Sequence, residues 1–295
     1  MSEKTMRRLA KPMLFAAAFI WGSSFFIMKD ALDTMPVQYL LAIRFLTGAV
    51  LLGAFCWKKW RTAFTPDYLW RGAVIGGFLW LAYSVQTYGL AMTTPSKNAF
   101  LTAVYCVIVP FLYWLFAKVK PDRYNVIAAV LCVAGVGFVS LTGDLSINPG
   151  DGLTLLCAVF YASHIVAVAK VSPGKDIYLL TVFQFAFAGL YAVILGGATE
   201  VFPVQILSQP EILLPLAYLA VMATTVALLF QNVGQIWSDP ASASVILSLE
   251  SVFGVLCSVL FAGDQVNGRM ILGFALIFVA VICSETKFGF LKGKK

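Results

Sequence analysis

Charged side chains are scarce in this chain. Asp, Glu, Lys and Arg make up 12% of its 295 residues, against about 25% in soluble domains. With 60% hydrophobic residues and a mean hydropathy of +0.87, the chain cannot cover a soluble surface with polar groups. Histidine is almost missing, since His164 is the only one, so no His-rich metal site can form. The six cysteines show neither CxxC nor Cys/His ligand spacing and lie in or beside apolar runs, which reads as buried free thiols rather than a redox or metal framework. No cofactor is implied. The net charge of +7 lies in connections and termini without interleaved aromatic residues, so nucleic acid is not an expected partner.

Long apolar runs are abundant. They read approximately as 12–31, 36–57, 67–92, 96–117, 123–142, 152–170, 177–198, 211–236, 241–262 and 269–286. Each matches the roughly 20 residues that cross a bilayer. Met35-Pro36, Thr65-Pro66, Thr94-Pro95, Pro121-Asp122, Asn148-Pro149-Gly150, Ser172-Pro173-Gly174 and Asp239-Pro240 mark the connections. Barrel-type alternation is absent, so the expected fold is all-α: an integral membrane protein of ten transmembrane helices. The first run carries on to Met28 with no small-residue cleavage site and reads as a retained span. With both termini cytoplasmic, the inner connections and termini hold seventeen of the 21 Lys and Arg. The outer side holds only Lys29, Lys97 and Arg269, and Arg44 falls within a span. That asymmetry indicates a multi-pass protein of the plasma (inner) membrane with its termini inside.

Internal similarity divides the chain in two. A shift of 145 residues sets Gly89…Pro95 on Gly234…Pro240 and Leu115-Phe116-Ala117 on Leu260-Phe261-Ala262. A shift of 140 sets Ser23 on Ser163, Leu40 on Leu180, and Arg44-Phe45 on Gln184-Phe185. Residues 1–147 and 148–295 therefore read as two five-helix repeats, and an odd number of spans per repeat gives them opposite orientation. Such inverted repeats are the plan of secondary transporters, with a site near the midplane between the halves.

A few polar groups lie inside the spans. Glu250 is the only charged residue of the run 241–262 and sits about 15 Å along its helix, near mid-bilayer. It either faces a wet central cavity, where it would bind a substrate ammonium or a proton, or is locked in a permanent salt bridge. Arg44 lies at similar depth; it could pair with Glu250, bind a substrate carboxylate through its fork of donors, or lodge at the outer helix ends near Asp30 and Asp33. His164 is either a neutral imidazole bonded to a neighbouring helix or a proton-coupling or substrate-binding group. Tyr105 corresponds to Glu250 under the repeat shift and should face it. Trp21, Trp80, Tyr83, Gln86, Asn98 and Gln231 sit at comparable depths, as candidate cavity lining or as helix packing. Lys29 and Lys97 read as snorkelling cations. Pro110 predicts a kink in the fourth span, and Gly72 and Gly76 predict a close helix approach.

The chain also resembles a known family along nearly its whole length. Trp21-Gly22-Ser23-Ser24-Phe25 with Lys29, Arg44-Phe45-Leu46, "NAFLTAVYCVIVPFL" (98–112), "LSLESVFG" (247–254) and "GFALIFVAVICSE" (273–285) occur in order on the first, second, fourth, ninth and tenth spans. This is similar to the drug/metabolite transporter superfamily, EamA type. Two departures stand out: Ser251 where the family usually has proline after the ninth-span Glu, and Asp264 where it often has Glu. The resemblance implies two inverted five-helix repeats and export of amino acids or similar small metabolites.

The expected function is therefore a secondary transporter of a small-molecule substrate in the lipid bilayer. It would work by alternating access, with proton coupling through Glu250 or His164, or as an uncoupled facilitator. A channel or sensor would want rings of like groups from oligomer symmetry. A polytopic membrane enzyme would need an intramembrane catalytic set, and one histidine with one mid-span carboxylate falls short of that. The sequence leaves substrate identity and oligomeric state open.

Overall fold

A computed structural model of the chain describes residues 3–62, 65–118, 120–141, 147–204, 209–238 and 240–287. The described residues form ten helical rods and no strand. They are α1 (Glu3–Ala31), α2 (Val37–Phe55), α3 (Pro66–Met92), α4 (Pro95–Thr102 continued by Tyr105–Ala117), α5 (Arg123–Ser140), α6 (Pro149–Val171), α7 (Ile177–Thr199), α8 (Pro210–Ala217, Tyr218–Val226 and Ala227–Ile236), α9 (Pro240–Phe261) and α10 (Gly268–Thr286). All but α3 and α9 are long and apolar enough along their described residues to cross a membrane. The α3 rod has 27 residues but carries Asp67, Arg71, Ser84, Gln86 and Thr87, and α9 is described as an apolar helix over Ile246–Phe261.

Local chemistry sets the boundaries. Thr65, Thr94 and Asn148 each accept a backbone N–H of the helix they precede, and the next residue is a proline at the first helical position. Proline suits that position because its missing N–H has no intrahelical partner there. Asp122 makes a capping box with Asn125, and Asp176 and Asn267 cap α7 and α10.

Two rods depart from regular helices, the fourth being the span in which Pro110 predicts a kink. The fourth breaks at Ala103–Val104, ahead of Pro110. There Val104, Cys106 and Val107 donate to carbonyls three residues back rather than four. Pro110 has no N–H to offer Cys106, and the Ser284 hydroxyl of α10 takes that carbonyl instead at 3.4 Å. The eighth rod widens over Tyr218–Val226, where the Ala227 N–H reaches back five residues to Met222. The carbonyl of Ala223 in this wide turn accepts the indole N–H of Trp21 at 2.8 Å. Such π segments recur at functional sites.

The main packing pairs are α1 with α9 and α6 with α4, α3 with α6 and α8 with α1, α3 with α7 and α8 with α2, and finally α2 with α7 and α5 with α10. Adding or subtracting five from every helix number turns this set into itself, which is the signature of two five-helix units related by a pseudo-two-fold. Glycines allow the closest crossings. A Cβ on Gly22 of α1 would lie 2.8 Å from the carbonyl oxygen of Glu250, and one on Gly76 of α3 would lie 2.7 Å from that of Gln184. The backbones that carry two polar residues of the site are thereby pinned.

The bundle has two distinct ends. One carries the basic connections, cross-linked by Lys59–Asp176, Lys175–Asp67 and Lys287–Asp122. At the other, Lys29 Nζ donates to the carbonyls of Leu90, Ala91 and Thr93 at 2.8–3.0 Å, and Lys97 pairs with the wholly buried Asp151 at 3.0 Å. Both lysines are thus engaged by protein groups rather than snorkelling freely. Glu200 accepts the N–H groups of Gln38 and Tyr39 and the Tyr88 hydroxyl, while Asp264 accepts the Ser96 N–H and the Ser258 hydroxyl. Side chains from helix ends and connections therefore cross-link this end.

Candidate functional site

A cavity of about 560 Å3 occupies the half of the bundle nearer the basic end. Its walls come from α3, α4, α6, α7, α8, α9 and α10, so both halves of the chain contribute. Apolar residues such as Ile75, Val109, Leu180, Leu228, Leu247 and Val281 make most of the surface. The polar groups are few: Thr102, Tyr105 and Cys106 on α4, His164 on α6, Thr181 and Gln184 on α7, Gln231 on α8, Ser248, Glu250 and Ser251 on α9, and Glu285 on α10. An apolar chamber with a small set of convergent polar groups is the usual form of a small-molecule site.

Glu250 is in the wall, halfway along α9, and its carboxylate has no hydrogen bond or ion pair with any described residue. Its position follows from the contact of Gly22 with its backbone. On the same helix Ser251, where the related pattern has proline, turns its hydroxyl to the Ser248 carbonyl at 2.9 Å. Helix α9 therefore stays unbroken from Pro240 to Phe261. Tyr105 lines the same cavity from α4, at the start of the segment that follows the break, with its ring 5.9 Å from that of Tyr161.

Arg44 lies elsewhere. It is 1% exposed, its Nε donates to Thr224 Oγ1 at 3.3 Å, its Nη1 lies 3.1 Å from Met28 Sδ, and its guanidinium sits over the Tyr83 ring at 5.2 Å. It makes no ion pair among the described residues and does not line the large cavity. Beside it is a chamber of about 60 Å3 lined by Trp21, Tyr83, Phe45, Phe185, Thr224, His164 and Gln184, among others. His164 Nε2 donates to Gln184 Oε1 at 3.1 Å, and both side chains line both chambers.

Of the ten residues singled out in the sequence, Glu250, Tyr105, His164 and Gln231 come together in the large cavity, and Trp21 and Tyr83 meet His164 at the small one. Trp80, Gln86 and Asn98 line neither. Trp80 donates to Gln38 Oε1 at 2.9 Å; Gln86 bonds Thr102 and Tyr161; Asn98, fully buried, donates to Thr154 Oγ1 at 2.8 Å. Glu285 was missed. Its place at the C-terminal end of the last span reads as an ordinary charged helix terminus, and only the fold turns it toward the cavity.

The motif on α1 acts on the same region. Besides Trp21 and Gly22, Ser23 meets the Tyr218 hydroxyl at 2.6 Å, tying α1 to the wide turn of α8 next to Thr224 and Arg44.

Comparison with known proteins agrees with this architecture. The EamA-like transporter family matches residues 9–141 and again 148–286. An uncharacterized transporter of Archaeoglobus fulgidus is 34% identical over 95% of this chain and 87% of its own length. The uncharacterized inner membrane transporter YedA of Escherichia coli is 25% identical over 91% of this chain and 88% of its own. Protein PecM of Dickeya dadantii is 25% identical over 97% and 95%. A crystal structure with 17% identity superposes with a TM-score of 0.67 over 94% of this chain and 98% of the other, a likeness of fold. This multi-pass membrane protein belongs to the EamA-like transporter family.

Proposed function

We propose that the protein is a secondary transporter that exports amino acids or similar small amine-bearing metabolites by alternating access through the central cavity. The observation that carries this reading is Glu250: a carboxylate in the wall of a largely apolar chamber, with no partner among the described residues. A charge is retained in such a place only if something compensates it, and a substrate ammonium or a proton would do so. The division at 147/148 into two oppositely oriented repeats belongs to this reading, because each half can then rock against the other around a fixed site.

With the basic end cytoplasmic, as the Lys and Arg distribution favours, the chain has both termini inside the plasma membrane. The cavity then lies on the cytoplasmic side beneath a closed outer end, an inward-facing arrangement suited to loading cargo for export. Glu250 is the first candidate for proton coupling. His164 is second, since its Nε2 is already engaged by Gln184. In proteoliposomes loaded with a mixture of amino acids and amines, the wild type should release a subset of them, faster when protons are supplied outside. Release of the same subset without dependence on the gradient would make the protein a facilitator. Failure to move any of the mixture would count against the reading as a whole.

A further inference from the structure

Arg44 carries a buried charge that no described residue neutralises. Its side chain is 1% exposed, and its contacts include one oxygen, Thr224 Oγ1, beside Met28 Sδ and the face of Tyr83. A guanidinium is costly in such a place unless an anion offsets it. Thr224 cannot, since its hydroxyl is also spent on the Leu219 carbonyl at 2.8 Å. The small chamber lies alongside, with both Thr224 and Tyr83 in its wall, and no Asp or Glu is among the described residues that line it. At about 60 Å3 it exceeds the roughly 30 Å3 that one water occupies in the liquid, which is room for a carboxylate. Trp21 spends its indole N–H on the Ala223 carbonyl. The side-chain NH2 of Gln184, by contrast, has no acceptor among the described residues, its Oε1 being the atom that meets His164. Gln184 also lines the large cavity together with Glu250. A carboxylate at Gln184 would therefore have a neutral donor in contact and a cation behind it, in surroundings that screen little.

Building on the proposed function, we propose that the small chamber is the carboxylate subsite of the transport site. The carboxylate of the cargo is received by the Gln184 side-chain NH2 under the field of Arg44, while its ammonium faces Glu250. The preferred cargo is a zwitterionic amino acid, with an apolar side chain to match the apolar wall of the large cavity. Two charges without ion pairs among the described residues, one in each half of the chain, are thus compensated by a single molecule.

The test titrates three compounds with one side chain calorimetrically into the purified full-length protein: leucine, leucinamide and isoamylamine. At about pH 6.5 all three carry an ammonium, and only leucine carries a carboxylate. Leucine should bind at least about 10-fold more tightly than either of the others. Arg44→Met should bring leucine down to the level of leucinamide without weakening leucinamide, and Arg44→Lys, which keeps the charge, should retain part of the preference. Gln184→Leu should narrow the preference as well, and it carries the test if Arg44→Met does not fold. Leucinamide or isoamylamine binding within about 10-fold of leucine overturns the carboxylate subsite, as does a preference unchanged in a folded Arg44→Met or Gln184→Leu protein. If such carboxylate-blind binding is still lost in Glu250→Gln, the transporter reading stands and only the subsite falls. Absence of binding by all three overturns the subsite and counts against amine cargo as well.

Discussion

His164 Nε2 lies 3.1 Å from Gln184 Oε1, and the pair forms the shared wall of the two chambers. Gln184 is held there because Gly76 lets α3 press onto its backbone. Truncation to His164→Ala should join the chambers and remove one buried hydrogen bond. The expected loss of stability is about 1–3 kcal/mol, read as a lower Tm, together with better transport of bulkier substrates relative to small ones. Unchanged size selectivity in a folded variant would show that the pair is not a partition.

Arg44 and Glu250 lie at similar depth but in different surroundings, and no ion pair joins them. A double-mutant cycle of Arg44→Met and Glu250→Gln, read by thermal unfolding, should therefore give a coupling energy below about 0.5 kcal/mol. A salt bridge would instead leave a stranded charge in each single variant and yield a coupling of several kcal/mol, roughly 3 or more.

The closed end depends on Lys97 and Asp151. Asp151 has no exposure and also accepts the Thr93 hydroxyl at 2.5 Å. Lys97→Met should leave a buried carboxylate without its cation and cost about 3–5 kcal/mol in the closed state. Asp151→Asn, which can keep the bond to Thr93, should cost less. The buried Ser96 Oγ has no hydrogen-bond partner among the described residues. A cysteine placed there should react faster with a polar thiol reagent in the Lys97→Met background than in the wild type. Equal rates would mean that the pair does not hold this end shut.

Near the basic end, the Lys287 ammonium beside Asp122 holds its carboxyl below the usual carboxylate range. A lowered folded-state pKa adds stability above the unfolded value of about 3.9, and that stability is lost as pH falls through the folded value. The Tm difference between the wild type and Asp122→Asn should therefore shrink between about pH 5 and pH 3. A difference that stays constant through this window would show that the pair contributes nothing.

The helices were legible because their punctuation is local. Thr65-Pro66, Thr94-Pro95 and Asn148-Pro149 carry both a cap and a proline at the first turn, and chemistry of that kind needs no neighbour. Pro110 marked the fourth span for a kink, but the place of its break at Ala103–Val104 and the wide turn of α8 were not legible. The Cys106 carbonyl freed by Pro110 is taken by Ser284, 178 positions onward in the chain, and the Ala223 carbonyl is taken by Trp21 from the other half. The same limit governed the site. Depth along a helix follows from counting residues, so Glu250 and Tyr105 could be placed at one level with Arg44. Facing could not be read, because lipid-facing and core-facing sides of these helices are both apolar and no periodic stripe distinguishes them. Only packing sends Arg44 to Tyr83 and Thr224 while Glu250 and Glu285 reach the chamber.

The central claim is that the Glu250 carboxylate recognises cargo. The most direct measurement is exchange of one labelled transported amine across proteoliposomes by wild type, Glu250→Asp and Glu250→Gln, each matched for folding by its Tm. The account predicts exchange in the wild type, reduced exchange with Asp, and at least about a 100-fold loss with Gln, equivalent to about 2.7 kcal/mol. A well-folded Glu250→Gln protein that exchanges the same amine as fast as the wild type would contradict it.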